Sequence, residues 1–546
     1  MRILAVIPAR GGSKGIPRKN IRLMNGRPLI SYAIATALES QHITDVFVST
    51  DSMEIADVAR SCGAHVVKRG EELSSDLVTL DPVVYHAKCE AERQLSCSFD
   101  IVITMQPTSP LLRVETLDHA IEAFLREDDD TLISVVNQPH LAWGKAADGQ
   151  LIPLYAHRKN RQELPPCYLE TGAFVIAKEG AVRKNTRIGS KVSVFEIDEK
   201  ESIDIDSAND WVLTESLMQR KRILFRVDGY IKLGLGHIYN CITLALAMMD
   251  HDVLLVTKRD AEPGIRKIRE TNLPYKTFET EEELEAIVNE FHPDIWVNDC
   301  LNTTVSYIQQ LKARVPRVVT MEDLGAGTQV ADATVNAIYE EEEHRRNVYS
   351  GFRYVCLRDE FLITRPKEFS PEIHTVVVMF GGTDPSNLNR LVYDAILASN
   401  GLFSGIRFCF ITGIGYDNEA HGILSCPEQG IYVYPNVPRV TKYLKDADLV
   451  VLGQGRTIFE VCCMGVPAVV LSQNERETTH SFANMEHGFL NLGLGKNVDP
   501  SLITNTLQWL IHTTAVRKNM HDLMMKIPLK SGIERVKKII LGRNED

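Results

Sequence analysis

Residues 7–20, IPARGGSKGIPRKN, combine glycines and basic side chains in a pattern that suits the binding of a polyphosphate. Glycine lets a ligand approach the main chain closely, and the segment supplies the cations Arg10, Lys14, Arg18 and Lys19. Main-chain N–H groups and fixed cations at the carboxyl end of a strand form an anion site. We therefore predict a phosphate-binding loop; a glycine turn that only reverses the chain is the structural alternative.

The spacing of these glycines excludes the two common nucleotide motifs. Gly11, Gly12 and Gly15 do not fit the G-x-G-x-x-G pattern of dinucleotide-binding folds. The segment also lacks the Gly-Lys-Ser/Thr ending of a P-loop. If the loop binds a nucleotide, it therefore belongs to another class of site.

Three more polar segments follow strand-like runs, where a nucleotide site on a parallel sheet collects its side chains. Residues 49–52 (STDS) suit this role, although they also form a good helix N-cap. Gln106, at the start of QPTSPLLR, presents an amide to a base or a sugar. In SIDID (202–206), strand alternation places Asp204 and Asp206 on one face. Two hard carboxylates suit Mg²⁺; a polar outer face of an edge strand is the alternative.

The second half of the chain carries a different set of candidates. His237 follows glycine at a predicted helix start, where the positive end of the helix keeps an imidazole neutral and suited to act as a general base. A histidine that only closes the helix is the alternative. Two glycine turns, Gly381 to Pro385 and Gly453 to Thr457, are predicted to hold a diphosphate on main-chain N–H groups.

The elements that must position these residues alternate between strand and helix patterns. Apolar runs at 3–7, 45–50 and 100–105 alternate with helical patterns, which predicts a doubly wound α/β sheet. The alternation of strand and helix patterns begins again at residue 221, and the pattern changes once more near 365–373. We predict three α/β segments, 1–220, 221–370 and 371–546, of which the last two are halves of one module.

Composition and net charge argue against several classes of protein. The chain has 546 residues and a formal net charge of -12, which argues against a general nucleic-acid or membrane-surface binder. Its eleven cysteines include no Cys-x-x-Cys pair, which favours reduced thiols. The sequence shows neither a leader peptide nor a transmembrane run, so we predict a cytoplasmic protein.

Six blocks between residues 1 and 218 resemble the nonulosonate cytidylyltransferases, the family of CMP-sialic acid synthetases. The blocks are IPARGGSKGIPRKN, STDS, KRGEELSSD, MQPTSPLLR, ETGAFVIAK and SIDIDSANDW. The resemblance implies a Rossmann-like, GT-A-like nucleotidyltransferase domain. It also implies a reaction that joins CTP to a nonulosonic acid with Mg²⁺, releasing pyrophosphate, and a homodimer formed through this domain.

The same resemblance assigns roles to individual residues. Arg69 and Gln106 would lie in the pocket for nucleotide and sugar, and Asp204 and Asp206 would carry Mg²⁺. Arg10 and Lys19 would act in catalysis. The residues that would hold the CTP are Arg10, Gly12, Ser13, Lys14, Lys19 and Asn20.

Residues 221–490 resemble the UDP-sugar hydrolase of the pseudaminic acid pathway. The segments that carry this resemblance are RVD (226–228), GLGH (234–237), MFGGTDP (379–385) and GQGRTIFE (453–460). It implies a GT-B-like module of two Rossmann domains in which His237 is the general base. The UDP-binding residues would be Gly381, Gly382, Thr383, Gly455, Thr457 and Glu460. A first-turn acid that faces solvent is the alternative for Glu460.

Two departures from this second family keep other functions open. Asn240 stands where Gly-His-x-x-Arg would place an arginine, and residues 471–475 (LSQNE) replace an Asp-Asn-Gln element. A glycosyltransferase and an inactive module that binds sugar nucleotides remain alternatives to the hydrolase. Pseudaminic, legionaminic and N-acetylneuraminic acids all remain open as the acid that the first domain activates; the fused module favours pseudaminic acid.

Overall fold

The computed structural model describes residues 1–12, 15–75, 77–230, 235–340, 345–399 and 401–543. The chain divides into two compact units, Met1–Gln219 and Arg220–Asp546. Two residues of the predicted phosphate loop, Ser13 and Lys14, lie outside the described residues.

Strands and helices alternate through most of the first unit. Its strands are β1 (Ile3–Pro8), β2 (Leu23–Met24), β3 (Arg27–Pro28), β4 (Asp45–Thr50), β5 (His65–Lys68), β6 (Ile101–Met105), β7 (Thr131–Asn137), β8 (Trp143–Lys145), β9 (Leu151–Pro153), β10 (Tyr168–Lys178) and β11 (Val192–Glu196). Its helices are α1 (Leu29–Glu39), α2 (Met53–Ser61), α3 (Leu80–Leu95), α4 (Val114–Arg126) and α5 (Ala208–Met218).

Seven of these strands form one sheet with the order β11-β7-β10-β6-β1-β4-β5. The central strand β1 is a run of six buried residues, as expected where helices cover both faces of a sheet. β10 runs antiparallel to β6 and β7, whereas β1 is parallel to both of its neighbours. The phosphate loop therefore leaves the sheet at its centre, between the ends of β4 and β6.

The second unit contains two parallel sheets in succession. The strands of the first sheet are β12 (Arg222–Val227), β13 (Asp252–Lys258), β14 (Tyr275–Phe278), β15 (Ile295–Asp299), β16 (Arg317–Met321), β17 (Ala333–Asn336) and β18 (Val348–Ser350). Those of the second are β19 (Thr375–Met379), β20 (Arg407–Thr412), β21 (Ile431–Pro435), β22 (Leu449–Gly453), β23 (Ala468–Ser472) and β24 (Phe489–Leu494). Their orders are β14-β13-β12-β15-β16-β17-β18 and β21-β20-β19-β22-β23-β24.

The helices of this unit connect and cover the strands of both sheets. Before β19 they are α6 (Gly236–Ala247), α7 (Glu262–Arg269), α8 (Glu281–Phe291), α9 (Val305–Lys312) and α10 (Asp359–Ile363). The later helices are α11 (Leu388–Leu397), α12 (Thr441–Asp446), α13 (Thr457–Met464), α14 (Pro500–His512), α15 (Thr514–Met524) and α16 (Gly532–Ile540).

One hydrophobic core joins the two sheets of the second unit. Phe225 and Val297 of the first sheet belong to the same cluster of buried residues as Val377 and Leu452 of the second. The last helix, α16, packs back on the first sheet, where Arg317 Nε donates to the main-chain oxygen of Ile540 at 2.9 Å. The two sheets are therefore halves of one module.

The α/β fold predicted from the sequence is confirmed, including the two Rossmann-type sheets of the second unit. β4 occupies residues 45–50 as predicted, and β12 restarts the rhythm at residue 222. The antiparallel strand β10 was not predicted, because an apolar run does not reveal its direction. Within the described residues, none of the helices is both long enough and apolar enough to cross a lipid bilayer. All eleven cysteines carry free thiols.

Candidate active sites

The phosphate loop of the first unit is pinned to the end of β4. Ala9 N donates to the main-chain oxygen of Ser49 at 2.9 Å, and Gly11 N donates to Asp51 Oδ1, also at 2.9 Å. Asn20 Nδ2 donates to the main-chain oxygen of Arg10 at 3.0 Å and closes the loop from its other end. The segment STDS thus serves two purposes, since its last residue, Ser52, also caps α2.

Lys19 connects this loop to the segment that carries the predicted metal ligands. Its Nζ donates to the main-chain oxygen of Ile205 at 2.7 Å and lies 3.3 Å from Asp206 Oδ1. A Cβ on Gly15 would lie 2.6 Å from the main-chain oxygen of Asp206, so the loop and this segment touch. The side chain of Lys19 is only 14% exposed, which holds the ammonium group in place.

The prediction that residues 202–206 form a strand was wrong. These residues lie outside the sheet, and Ile205 N donates to the main-chain oxygen of Thr108 at 2.9 Å. Ile205 is fully buried, while the side chain of Asp206 is 79% exposed. The alternation of apolar and polar residues is real, but it anchors a connecting segment in front of α5.

Asp204 and Gln106 meet at an irregular point in β10. Gly172 has a φ of +70°, and the register with β7 shifts there. A Cβ on Gly172 would lie 2.7 Å from Gln106 Nε2 and 3.6 Å from Asp204 Oδ2. The absence of a side chain at Gly172 therefore gives these two groups their space, a requirement that the sequence did not reveal.

The chemistry of the two carboxylates fits a magnesium ion. Asp204 Oδ1 is buried and has no hydrogen-bond partner among the described residues. Burial raises the pKa of Asp204; an interaction with the Thr108 hydroxyl acts in the opposite direction, and the nearby charge of Asp206 raises the pKa further. A bound dication would compensate both carboxylates. Mg²⁺ needs only one or two protein carboxylates, because water and substrate phosphates supply its other ligands.

Arg69 follows β5, and its main-chain N donates to the main-chain oxygen of Thr50 at 3.0 Å, at the end of β4. Its side chain is buried, and its Nε has no hydrogen-bond partner among the described residues. Burial lowers the pKa of Arg69, while the charge of Asp51 acts in the opposite direction and that of Arg10 reinforces the lowering. A buried cation of this kind is suited to hold an anionic or polar ligand.

The second unit contains a cavity of about 300 Å³ lined by residues of both halves. This volume lies at the lower end of the range for small-molecule sites. The first half supplies His237, Asn240 and Glu322, and the second half supplies both glycine turns and the segment 473–480. All predicted residues of this unit, His237, Gly381, Gly382, Thr383, Gly455, Thr457 and Glu460, line this one cavity.

His237 forms a dyad with Asp299, which the sequence did not single out. His237 stands in the first turn of α6, and its Nδ1 lies 2.6 Å from Asp299 Oδ1. Asp299 is the last residue of β15, and its side chain is fully buried. Because an ionised carboxylate only accepts hydrogen bonds, Nδ1 is the donor to Asp299, and in the neutral ring the lone pair is then on Nε2. This arrangement suits a general base and argues against a histidine that only closes the helix.

Asn240 links this dyad to the second half of the module. Its Nδ2 donates to Asp299 Oδ2 at 3.3 Å, and its Oδ1 accepts a hydrogen bond from Arg456 Nη2 at 2.8 Å. Arg456 also pairs with Glu322, with 2.8 Å between Nη1 and Oε1. Arg456, from the second half of the module, thus places its guanidinium group beside Asn240, the position at which the family would have an arginine.

The two glycine turns differ in what their N–H groups can bind. After the first turn, Asp384 accepts from Leu388 N at 2.9 Å and from Asn389 N at 2.7 Å, so the start of α11 is already occupied. α13 begins at Thr457 without a side-chain cap and faces the cavity. Because no side chain caps it, the start of α13 is better suited than that of α11 to lie against a diphosphate.

Glu460 lies in the first turn of α13 but does not face solvent as an isolated acid. Its two oxygens accept from Arg358 Nε at 2.7 Å and from Arg358 Nη2 at 3.0 Å. Its side chain is 14% exposed. The alternative of a solvent-facing acid was wrong, and the predicted contact to ribose stays a prediction.

Glu477 gives the cavity a titratable group. Burial raises its pKa to about 7, with a further rise from the charge of Asp384; a hydrogen bond from Gln473 N, at 2.7 Å, opposes this. Close by, burial lowers the pKa of His480 to about 4, so that this ring is neutral at physiological pH. The charge of Glu477 therefore changes near neutral pH.

We expect Glu477→Gln to stabilise the protein at pH 8 but not at pH 5. The folded chain binds more protons than the unfolded chain between pH 4.5 and 7, so its stability falls as the pH rises through this window. The full loss corresponds to about 3 kcal/mol. Calorimetric unfolding at several pH values measures it.

The exposed neighbour Glu475 provides the matched control for this experiment. Its side chain is 76% exposed, and Glu475→Gln is expected to shift the unfolding temperature equally at both pH values. A constant difference between Glu477→Gln and the unmodified chain from pH 5 to 8 would contradict the assignment.

Comparison with known proteins gives the family of the first unit. The sequence model described as "Cytidylyltransferase" matches residues 4–185. CMP-N,N'-diacetyllegionaminic acid synthase of Legionella pneumophila is 38% identical over 229 residues, which cover 40% of this chain and 97% of that protein. Post-translational flagellin modification protein B of Campylobacter coli is 31% identical over 227 residues, covering 40% of this chain and 97% of that protein.

Two solved structures resemble one unit each. CMP:2-keto-3-deoxy-manno-octonic acid synthetase complexed with CTP covers 40% of this chain and 98% of its own, with 15% identity and a TM-score of 0.31. MurG of Acinetobacter baumannii covers 59% of this chain and 99% of its own, with 14% identity and a TM-score of 0.43. The sequence comparisons are decisive for the first unit: through residues 1–219, the chain belongs to the cytidylyltransferase family.

Proposed function

We propose that the first unit joins CTP to a nonulosonic acid and releases pyrophosphate. The observation that carries this proposal is the convergence of three groups at one edge of the sheet. The loop after β1 supplies cations, Gln106 and Asp204 meet at Gly172, and Lys19 connects the loop to Asp206. The identity with a legionaminic acid synthase supports the class of sugar acid.

In the proposed reaction the anomeric hydroxyl of the sugar acid attacks the α-phosphorus of CTP. A new O–P bond forms while the bond to the β-phosphate breaks, and pyrophosphate leaves. Arg10 and Lys19 would neutralise the triphosphate and hold it in line for attack. Asp204 and Asp206 would hold Mg²⁺, which when bound stabilises the negative charge and lowers the pKa of the attacking hydroxyl. Ser13 and Lys14 stay predicted as phosphate ligands.

Alanine at Lys19 or Asp206 is expected to abolish formation of the CMP-sugar without unfolding the protein. Both side chains act on substrate or metal, and neither belongs to the hydrophobic core. Release of pyrophosphate from CTP measures the effect, with pseudaminic, legionaminic and N-acetylneuraminic acids tried in parallel. Turnover at the original rate in either variant would contradict the assignment.

Gly172→Ala tests whether the same site needs the space that Gly172 leaves for Gln106 and Asp204. A Cβ at Gly172 would displace Gln106 or strain the left-handed backbone, so the CMP-forming activity should fall at least tenfold. Gly180→Ala is the matched control, because a Cβ there meets no atom within 4 Å among the described residues. Equal activity of the two variants would exclude this role for Gly172.

We further propose that the first unit forms a homodimer through exposed apolar side chains of the hairpin formed by the antiparallel strands β8 and β9 and of the start of β10. Trp143 in β8, Leu151 in β9 and the adjacent Leu154 are each more than half exposed, and Tyr168 and Leu169 at the start of β10 are nearly so. Exposed apolar patches of this kind mark interfaces between proteins.

Light scattering after gel filtration tests the dimer. The unmodified chain is expected to elute with twice its mass of 61.3 kDa, and Leu154→Glu to shift it toward the monomer. Met53→Glu changes a residue that is also exposed but belongs to α2, and should leave the mass unchanged. A monomeric unmodified chain would contradict the proposal.

For the second unit we propose hydrolysis of a UDP-sugar, and the dyad His237–Asp299 carries this proposal. Water would attack C1 of the sugar as His237 Nε2 takes a proton from it, and the bond from C1 to the diphosphate oxygen would break. UDP would leave with its diphosphate at the uncapped start of α13. Asp299 would keep the ring in the required tautomer and stabilise the imidazolium that forms.

Transfer to an acceptor and binding without catalysis are the competing functions. Incubating the full chain with UDP-sugars and measuring free UDP separates the three. UDP with water alone supports hydrolysis, UDP only with an added acceptor supports transfer, and no UDP with any donor supports a binding module.

Asp299→Asn is expected to lower kcat for UDP release at least a hundredfold with little change in KM. The amide keeps the volume of the side chain but cannot stabilise an imidazolium as a carboxylate does. Asp294→Asn, beside the opposite end of β15, is the matched control and should retain the activity. An unchanged kcat in Asp299→Asn would show that the dyad has no part in the reaction.

A further inference from the structure

Arg476 differs from the other basic side chains that line the cavity of the second unit. Lys267 pairs with Glu270 at 2.5 Å, Arg358 pairs with Glu460, and Arg456 pairs with Glu322. Arg476 lines the same cavity, yet within the described residues it has no carboxylate oxygen within 4 Å. The guanidinium group therefore keeps a positive charge that the described residues do not pair.

Neutral oxygens of the first half hold Arg476 in place. Its Nε donates to the hydroxyl of Tyr339 at 2.6 Å, and its Nη2 donates to the main-chain oxygen of Glu322 at 3.0 Å. These contacts fix the plane of the guanidinium without neutralising it. Nη1 makes no hydrogen bond to any described residue, so it is available to a ligand.

Glu322 is the common support of two arginines. Its carboxylate pairs with Arg456 and its main-chain oxygen accepts from Arg476, although both arginines belong to the second half. Glu322 is buried, and its φ of +49° lies in the left-handed region that a glutamate rarely adopts. Backbone strain of this kind persists where the surroundings impose it, most often at binding sites.

The segment that carries Arg476 packs against both glycine turns. Gln473 Nε2 donates to the main-chain oxygen of Phe380, directly before the first turn, at 3.2 Å. Glu477 Oε1 lies 3.6 Å from the position that a Cβ on Gly455 would occupy in the second turn. A diphosphate held at the start of α13 would thus lie beside the segment that presents Arg476.

We propose that Arg476 binds the diphosphate of the nucleotide sugar in this cavity. The inference rests on the proposed function of the second unit and adds a residue that its sequence motifs do not contain. The guanidinium offers a planar, charged donor to phosphate oxygens, and an anion there would compensate its charge. Because both anchors of Arg476 lie on the first half, the site requires both halves of the module.

Calorimetric titration of the full chain with UDP and with uridine tests the proposal. The titrations use chains that also carry Lys19→Ala, which weakens phosphate binding in the first unit. Loss of a charge-assisted hydrogen bond should weaken UDP binding about tenfold to a hundredfold in Arg476→Gln. Uridine, which has no phosphate, should bind equally with and without the substitution, and this equality also shows that the site is folded.

Arg390→Gln is the control for a general loss of positive charge. Arg390 lies on α11 in the same half, pairs with Asp394 and does not line the cavity. Its replacement should leave the affinity for UDP within twofold of the parent chain.

Two results would overturn the proposal in distinguishable ways. Equal UDP affinity in Arg476→Gln and its parent would remove the role of Arg476 and leave the proposed function standing. A parent chain that binds no UDP would overturn the UDP-sugar function and, with it, this inference.

Discussion

Strands that are buried on both faces can present polar side chains to a ligand only near their ends. In β1, β12 and β19, apolar side chains fill the space between sheet and helices, so charged groups collect where the chain leaves the sheet. Parallel strands bring these ends to one edge. This constraint places the phosphate loop beside Asp51 in the first unit and Asp299 beside His237 in the second.

Charge compensation then decides how each site is assembled. In the first unit the loop itself supplies the cations, and one of them, the ammonium group of Lys19, lies 3.3 Å from Asp206 Oδ1. In the second unit the buried carboxylates of Asp299 and Glu322 belong to the first half, whereas Arg456 comes from the second. A buried carboxylate without a partner is costly, so this network binds the two halves together as well as shaping the cavity.

Local sequence patterns predicted β1, β4 and β6 and the helix start at His237, because these depend on residues close in the chain. They did not predict Asp299, Glu322 or Arg476, because each becomes significant only through a partner more than sixty residues away. The strand predicted for residues 202–206 was wrong, because the alternation of apolar and polar residues there reflects the burial of Ile205, which anchors the segment that leads into α5. The sequence also did not predict the role of Gly172, because this role depends on Gln106 and Asp204, which approach it from other elements.

Asn240 illustrates how a departure from a family pattern gains meaning from the structure. In the sequence it only removes an expected arginine. In the folded chain it bridges Asp299 and Arg456, so a guanidinium group lies next to this position. The departure is therefore compatible with an active site that draws its arginine from the opposite half.

The proposed functions rest on the claim that one chain carries two chemically independent nucleotide sites. Phosphorus NMR of a mixture of CTP, a nonulosonic acid, a UDP-sugar and Mg²⁺ tests it directly, because the CMP-sugar, pyrophosphate and UDP give separate signals. With the unmodified chain, all three products should appear; Lys19→Ala should remove only the first two, and Asp299→Asn only UDP. Loss of all three products from either single substitution, with the chain still folded, would contradict the claim.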